Sequence, residues 1–324
     1  GGYVVVTEAL FNSDAANDAF ALDGDDGDDV WLSAPSGDSI GFVDDVHFGG
    51  SRNSESFSRQ TNGVGFLWPS TPSLNAANGA ARSPQVVISE LHYNPAEPTQ
   101  EAVRILSNLD GNDLEFIELH NPSGRPVDLS QWRIRGGIEF DFDEGLRLDS
   151  NETLAVLSFN PDNPRNAERR AAFLANYGVE SAVTLIGGYD GSLNNSQESI
   201  RLQAAAVTEE GTTVHYFEDR VVYDDVQPWP ESADGGGNAL GRQDFSGIGT
   251  GPQNWIAQQP SPGSLGLVNI DINGDGQITP DDIDALCVQV MQENNPAYDL
   301  NRDAATNLDD VMFYVEQLLG TTAG

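Results

Sequence analysis

Two twelve-residue segments near the end of the chain carry oxygen side chains at a spacing that suits calcium. The first reads Asp271-Ile272-Asn273-Gly274-Asp275-Gly276-Gln277-Ile278-Thr279-Pro280-Asp281-Asp282. Side-chain oxygens fall at loop positions 1, 3, 5, 9 and 12, as Asp271, Asn273, Asp275, Thr279 and Asp282, and Gln277 at position 7 offers its backbone carbonyl. Calcium is a hard cation that takes about six to eight oxygens, and a short segment presents that many only if it turns sharply, which Gly276 at position 6 permits. A second copy starts 28 residues later with Asp299, Asn301, Asp303, Asn307 and Asp310, and with Ala305 as carbonyl donor. Ala304 stands where the turn glycine was, and a side chain in a left-handed conformation costs about 1 kcal/mol. The expectation is two Ca2+ sites, the second weaker.

Each loop runs into an amphipathic helix that must hold it. Ile283, Leu286, Cys287, Val290 and Met291 fall at i, i+3, i+4, i+7 and i+8. The same shift of 28 lands on Val311, Tyr314, Val315, Leu318 and Leu319, all apolar. Cys287 therefore matches Val315 and is expected to be an inert core residue. No helix precedes the first loop, because residues 260–267 form a Pro/Gly linker. This loop-then-helix duplication over residues 269–320 resembles a type I dockerin module. The resemblance implies a small all-α domain folded by calcium, with a cohesin-like module or a neighbouring domain as protein partner. Loop positions 10 and 11, Pro280-Asp281 and Leu308-Asp309, depart from the small hydroxyl residues typical of cohesin-binding dockerins.

The charge narrows the partners. Fifteen basic residues, all Arg, face 51 acidic ones, a net charge of −36. A cationic face is what nucleic acid and anionic membranes require, so neither is expected as a partner. No small-molecule substrate is evident. Residues 1–82 carry −9, 83–268 carry −17 and 269–324 carry −10, so the last segment is the most densely charged. Crowded loop aspartates repel one another unless a cation sits among them. A single Cys excludes a disulfide framework and any Cys-based zinc site. The first ten residues lack the basic start and apolar run of a signal peptide.

The rest reads as β structure. Residues 85–93 (QVVISELHY), 114–120 (LEFIELH), 131–135, 153–159, 199–202 and 220–223 are short apolar runs separated by turn clusters. Leu114 and Phe116 fall on one face, Ile117 and Leu119 on the other. Residues 167–177 (AERRAAFLANY) are the one helix candidate there, with Gly178 as its stop. Such a pattern predicts a β-sandwich. The order Val87-Ile88-Ser89-Glu90-Leu91-His92-Tyr93-Asn94-Pro95, then Glu115-Phe116-Ile117-Glu118-Leu119-His120-Asn121-Pro122, then Val127-Asp128-Leu129-Ser130-Gln131-Trp132-Arg133-Ile134 resembles the lamin-tail domain. That resemblance implies an immunoglobulin-like sandwich over residues 83–268; as large apolar residues of these runs, Trp132, Ile117 and Leu119 are the core candidates.

Residues 1–82 repeat the later part of that unit. Residues 3–6 match 154–157, Asp44-Asp45-Val46-His47-Phe48 match Asp219-Arg220-Val221-Val222-Tyr223, and Ser58-Arg59-Gln60 match Gly241-Arg242-Gln243. Trp68 then corresponds to Trp255. The expected organisation is the C-terminal part of one sandwich (1–82), a complete sandwich (83–268) and a dockerin-like module (269–324), in a piece of a longer protein.

Catalytic signals are weak. His92 and His120 lie near Glu90 and Glu118 and could form a site only if the four share a face. His47 matches Val222 in the repeat, which speaks against a required role, and His215 stands alone. The acidic run at residues 23–29 fits a hairpin loop, and no nucleophile elbow or phosphate loop is present. The expectation is a non-catalytic calcium-binding module of a secreted or cell-surface bacterial protein, serving structural, adhesive or anchoring contacts. The alternative is the accessory tail of a secreted enzyme such as a polysaccharide hydrolase, nuclease or CotH-like kinase, whose catalytic domain lies outside these residues.

Overall fold

The computed structural model describes residues 2–12, 21–36, 39–60, 65–179, 183–265, 272–273, 279–292, 298, 300 and 305–322. The chain opens with a single helical turn, α1 (Glu8–Phe11), capped by the Thr7 hydroxyl. Two antiparallel hairpins follow: β1 (Asp28–Ser36) with β2 (Ser39–Phe48), and β3 (Ser56–Arg59) with β4 (Leu67–Ser70). The acidic run leading into β1 is a turn: the Asp23 carboxylate accepts the amides of Asp25 at 2.9 Å and Asp26 at 3.1 Å.

The sandwich then builds up in chain order. It contains β5 (Val87–His92), α2 (Gln100–Ile105), β6 (Phe116–His120), β7 (Val127–Asp128), β8 (Arg133–Arg135), β9 (Ile138–Asp141), β10 (Arg147–Leu148) and β11 (Thr153–Leu157). It continues with α3 (Ala167–Tyr177), β12 (Leu185–Gly187), β13 (Asp190–Gly191), β14 (Gln197–Val207), β15 (Thr213–Asp224), β16 (Ala239–Arg242) and β17 (Trp255–Gln258). One sheet has the order β12-β11-β6-β5-β16-β17, and the other β13-β9-β8-β14-β15. All pairings are antiparallel except β11 with β12. The protein is mainly β.

Alternation along β6 explains why it is buried on both faces. Ile117 and Leu119 enter the core between the sheets together with Trp132, Ile134, Leu154, Ile200, Leu202 and Val221. Phe116 points the other way, into a second core with Leu114, Ala155, Leu157 and Phe173 on the helical side. Helix α3 has the expected bounds, and Gly178 ends it in the left-handed conformation at φ 64° that glycine adopts without a Cβ clash. Along β5 the alternation reverses once. Val86, Ile88, Leu91 and Tyr93 all enter the inter-sheet core, because a bulge between Ile88 and Glu90 sets Ser89 out of register.

The repeat is present in three dimensions. In β1–β2 the register passes from Leu32 opposite Asp44 to Ser33 opposite Phe42, leaving Val43 as the extra residue. In β14–β15 it passes from Leu202 opposite Asp219 to Gln203 opposite Phe217, leaving Glu218. Asp44 and Asp219 thus sit at the same place beside the same bulge. Each pairs with an arginine of the next hairpin: Arg59 Nη2 lies 2.9 Å from Asp44, and Arg242 Nη1 lies 2.5 Å from Asp219.

Two details of the repeat differ from the sequence reading. Arg59 stands opposite Leu67, whereas Arg242 stands opposite Trp255, so it is Leu67 and not Trp68 that occupies the place of Trp255. Trp68 instead packs edge-on against Phe217 with ring centroids 4.9 Å apart. Residues 3–6 form no strand, although they match β11. The physical reason is the neighbour: β11 is held by β6, and among the described residues of 1–82 no strand pairs with 3–6 as β6 pairs with β11.

Arg52, Phe66 and Arg82 fasten the β3–β4 hairpin and its flanks to the outer edge of the sandwich. Arg52 Nη2 at 2.8 Å and Arg82 Nη1 at 3.3 Å reach the buried Glu218 carboxylate, and Arg220 lies over Phe66 at 4.6 Å.

Candidate metal centre

The two loops end in the same local arrangement. Thr279 caps α4 (Pro280–Gln292), with Pro280 at the first helical position where its missing N–H costs nothing. The Thr279 hydroxyl accepts from the Asp281 amide at 3.3 Å, and the Asp282 carboxylate reaches back to the Thr279 amide at 2.8 Å. This is a reciprocal capping box. Asn307 does the same for α5 (Leu308–Thr322): its Oδ1 accepts from the Asp309 amide at 2.7 Å, and Asp310 accepts from the Asn307 amide at 2.7 Å. Loop position 9 is therefore the helix cap, and position 12 is the third helical residue. Both Asp282 and Asp310 are fully buried. The other Asp282 oxygen accepts from the Asn273 amide at 3.1 Å, which ties the start of the loop to its end. The Thr279 amide, then that of Asn273, holds the Asp282 carboxyl below its usual value of 3.8.

Of the expected ligands, Asn273, Thr279, Asp282, Ala305, Asn307 and Asp310 lie among the described residues. Asp271, Asp275, Gln277, Asp299, Asn301 and Asp303 lie outside them. Among the described residues no group of three or more His, Cys, Asp or Glu is placed to hold a metal ion. The donor chemistry fits calcium all the same. Asp282 and Asp310 are carboxylates buried at loop position 12, the kind of oxygen donor that a hard cation such as calcium takes.

Packing fixes the helices against each other and against the sandwich. Leu286, Leu300, Val311, Phe313 and Tyr314 form one core with the sandwich residues Val87, Phe245 and Leu265. Ile283, Cys287 and Val290 pack at its margin, as the stripe predicts, while Met291 is exposed, so the stripe ends one residue early. Phe313 lies outside the predicted stripe and is buried in the core that the helices share with Val87, Phe245 and Leu265 of the sandwich.

The outer face of the six-stranded sheet brings the two glutamates together. Glu90 stands opposite Glu118 across β5 and β6. Their carboxylates serve as latches for the linker to α4. Glu90 accepts from the Ser261 amide at 2.9 Å and hydroxyl at 2.6 Å, and Glu118 accepts from the Gly263 amide at 3.0 Å and the Ser89 hydroxyl at 2.6 Å. His120 lies opposite Val87 and His92 opposite Phe116, so the two backbone positions are about 13 Å apart along the strands, four residues at about 3.3 Å each. They share a face but not a site. Tyr177 donates its proton to the Leu114 carbonyl at 2.6 Å, so it accepts from His92 Nδ1 at 2.8 Å. Burial pushes the His92 imidazole down to about 3 and keeps it neutral. His215 is lowered by burial too, whereas exposed His47, hydrogen-bonded to Asp29 and 2.8 Å from Asp45, is raised. The linker latch was not foreseen; its sequence signal is Glu90 and Glu118, the acidic residues within the otherwise largely apolar runs 87–91 and 116–119.

Residues 79–218 match the Lamin Tail Domain family. The lamin-tail match covers β5 to the bulge of β15, while β16 and β17, which complete the six-stranded sheet, lie beyond it. Among solved structures, the chain is similar to the crystal structure of a DUF4876 family protein from Bacteroides thetaiotaomicron VPI-5482 at 2.50 Å resolution, with a TM-score of 0.33 and 11% identity over 66% of this chain and 81% of that one. No curated protein matches.

Proposed function

We propose that this chain is a non-catalytic, calcium-dependent structural module of a secreted or cell-surface protein, in which calcium folds a dockerin-like helix pair onto a lamin-tail sandwich. The observation that carries it is the repetition of one buried arrangement, Thr279 with Asp282 and Asn307 with Asp310, at the ends of two loops spaced by 28 residues. Asp271, Asn273, Asp275, Gln277, Thr279 and Asp282 would hold the first ion. Asp299, Asn301, Asp303, Ala305, Asn307 and Asp310 would hold the second. The ions supply four positive charges against the −10 of residues 269–324. The chain's own residues do the rest. The caps start the helices, the Leu286–Tyr314 core joins them, and the Glu90 and Glu118 latches set the linker.

A small unit with so little core of its own takes much of its folding free energy from metal. Its exposed surface is then available to a protein partner, a cohesin-like module or a neighbouring domain. Hydrogen exchange of the α4 and α5 amides tests the proposal. Protection in calcium that is lost in chelator, with β5 and β6 unchanged, is expected. Equal protection in both would overturn it.

A further inference from the structure

The β1–β2 hairpin exposes the face that its counterpart buries. With Leu32 equivalent to Leu202, Val30 corresponds to Ile200, Ala34 to Ala204, Val46 to Val221 and Phe48 to Tyr223. All five residues of the later hairpin lie in the inter-sheet core. Their counterparts lie open or half-open: Leu32 is 59% exposed where Leu202 is 0%.

Three further features of the hairpin lack what the later copy has. β14 pairs with β8 on its far side, whereas among the described residues β1 pairs with β2 alone, which leaves its other strand edge open. Asp219 accepts the Ile88 amide of β5 at 2.8 Å, and among the described residues of 1–82 no strand stands in the place of β5 to offer Asp44 the same donor. Residues 3–6 match β11 but have no β6 beside them. The missing pieces are all of one kind, namely β5, β6 and β8, the first half of the sandwich.

We propose that the β1–β2 hairpin is the docking surface for a segment equivalent to the first half of a lamin-tail-type sandwich, supplied by residues other than those of this sequence. Its β6 equivalent turns residues 3–6 into a strand. Its β8 equivalent closes the edge of β1. Its β5 equivalent donates an amide to Asp44 and covers Val30 and Leu32. A second copy of the whole chain does not supply this, because its own first half is already paired with β14–β16.

The test joins a second copy of residues 83–152 ahead of Tyr3. The probe is the labelling rate of Leu32→Cys by a water-soluble maleimide, in a Cys287→Val background. Labelling as fast as a free thiol in the chain itself, slowed at least about tenfold in the fusion, is expected. Trp31→Cys, on the opposite face of β1, stays fast in both. An unchanged Leu32→Cys rate in the fusion overturns the proposal, whether or not the added residues fold. Equal slowing at Trp31→Cys and Leu32→Cys overturns it as well, since that is nonspecific burial. So does slow labelling of Leu32→Cys in the chain itself together with a dimer in sedimentation, which assigns the face to a second copy.

Discussion

The two arginine–aspartate pairs of the repeat offer a comparison within one molecule. Asp219 and Arg242 are both 0% exposed, and Asp219 also takes the Ile88 amide at 2.8 Å. Asp44 is 55% exposed and Arg59 27% exposed, with 2.9 Å between them. Removing one partner of a buried pair strands the other charge away from water and costs about 3–5 kcal/mol. An exposed pair contributes about 0–1 kcal/mol, because water and salt already satisfy both ions. Asp219→Asn should therefore destabilise the chain by about 3–5 kcal/mol, and Asp44→Asn by less than about 1 kcal/mol. At about 2–4 °C per kcal/mol for a body of this size, the melting shifts should differ by roughly 10 °C. The assay is urea unfolding followed by tryptophan fluorescence, with thermal melts in parallel. Equal costs for the two variants would refute the reasoning that burial, and not the ion pair as such, sets the value of the contact.

Further outcomes follow from the same physics. Burial pushes the Glu115 carboxyl up to about 7 from 4.5, against the Leu193 amide and Tyr189 hydroxyl that stabilise its ionised form. Stability is therefore full below pH 4.5 and falls as the pH rises toward 7, by at most about 3 kcal/mol. Glu115→Gln should stabilise the chain at pH 8 and leave it unchanged at pH 4 in urea melts; a gain independent of pH would contradict this. Trp132→Ala, which empties part of the inter-sheet core, should cost about 3–5 kcal/mol in the same assay. Ala304→Gly, which restores the turn glycine of the first loop, should tighten the second calcium site about fivefold, the equivalent of about 1 kcal/mol, as read by calorimetry.

Much of the sandwich was legible because its strands obey simple alternation. Ile117 and Leu119 against Leu114 and Phe116 sorted into two cores, and the bounds of α3 followed from Gly178. Ser89 shows where alternation fails: a bulge flips the faces of β5, and one inserted residue leaves no mark in composition. Residues 3–6 read as a strand from their match to β11, yet a strand needs a partner, and that partner is not in the described chain. Trp68 was matched to Trp255 by residue type, whereas hairpin register puts Leu67 there. The candidate metal centre is proposed from a ligand spacing in the sequence. Its coupling to helix capping through Thr279, Asp282, Asn307 and Asp310, and the latching of its linker by Glu90 and Glu118, depend on contacts between segments far apart in sequence.

The central claim is that calcium folds the end of this chain. Calorimetric titration of the whole chain with Ca2+, paired with thermal melts in chelator, tests it most directly. Two sites of unequal affinity are predicted, with Asp282→Ala abolishing the tighter one. The C-terminal unit should melt in chelator and gain about 2.7 kcal/mol when free calcium reaches a hundred times Kd. No binding heat and an unchanged melt would contradict the account.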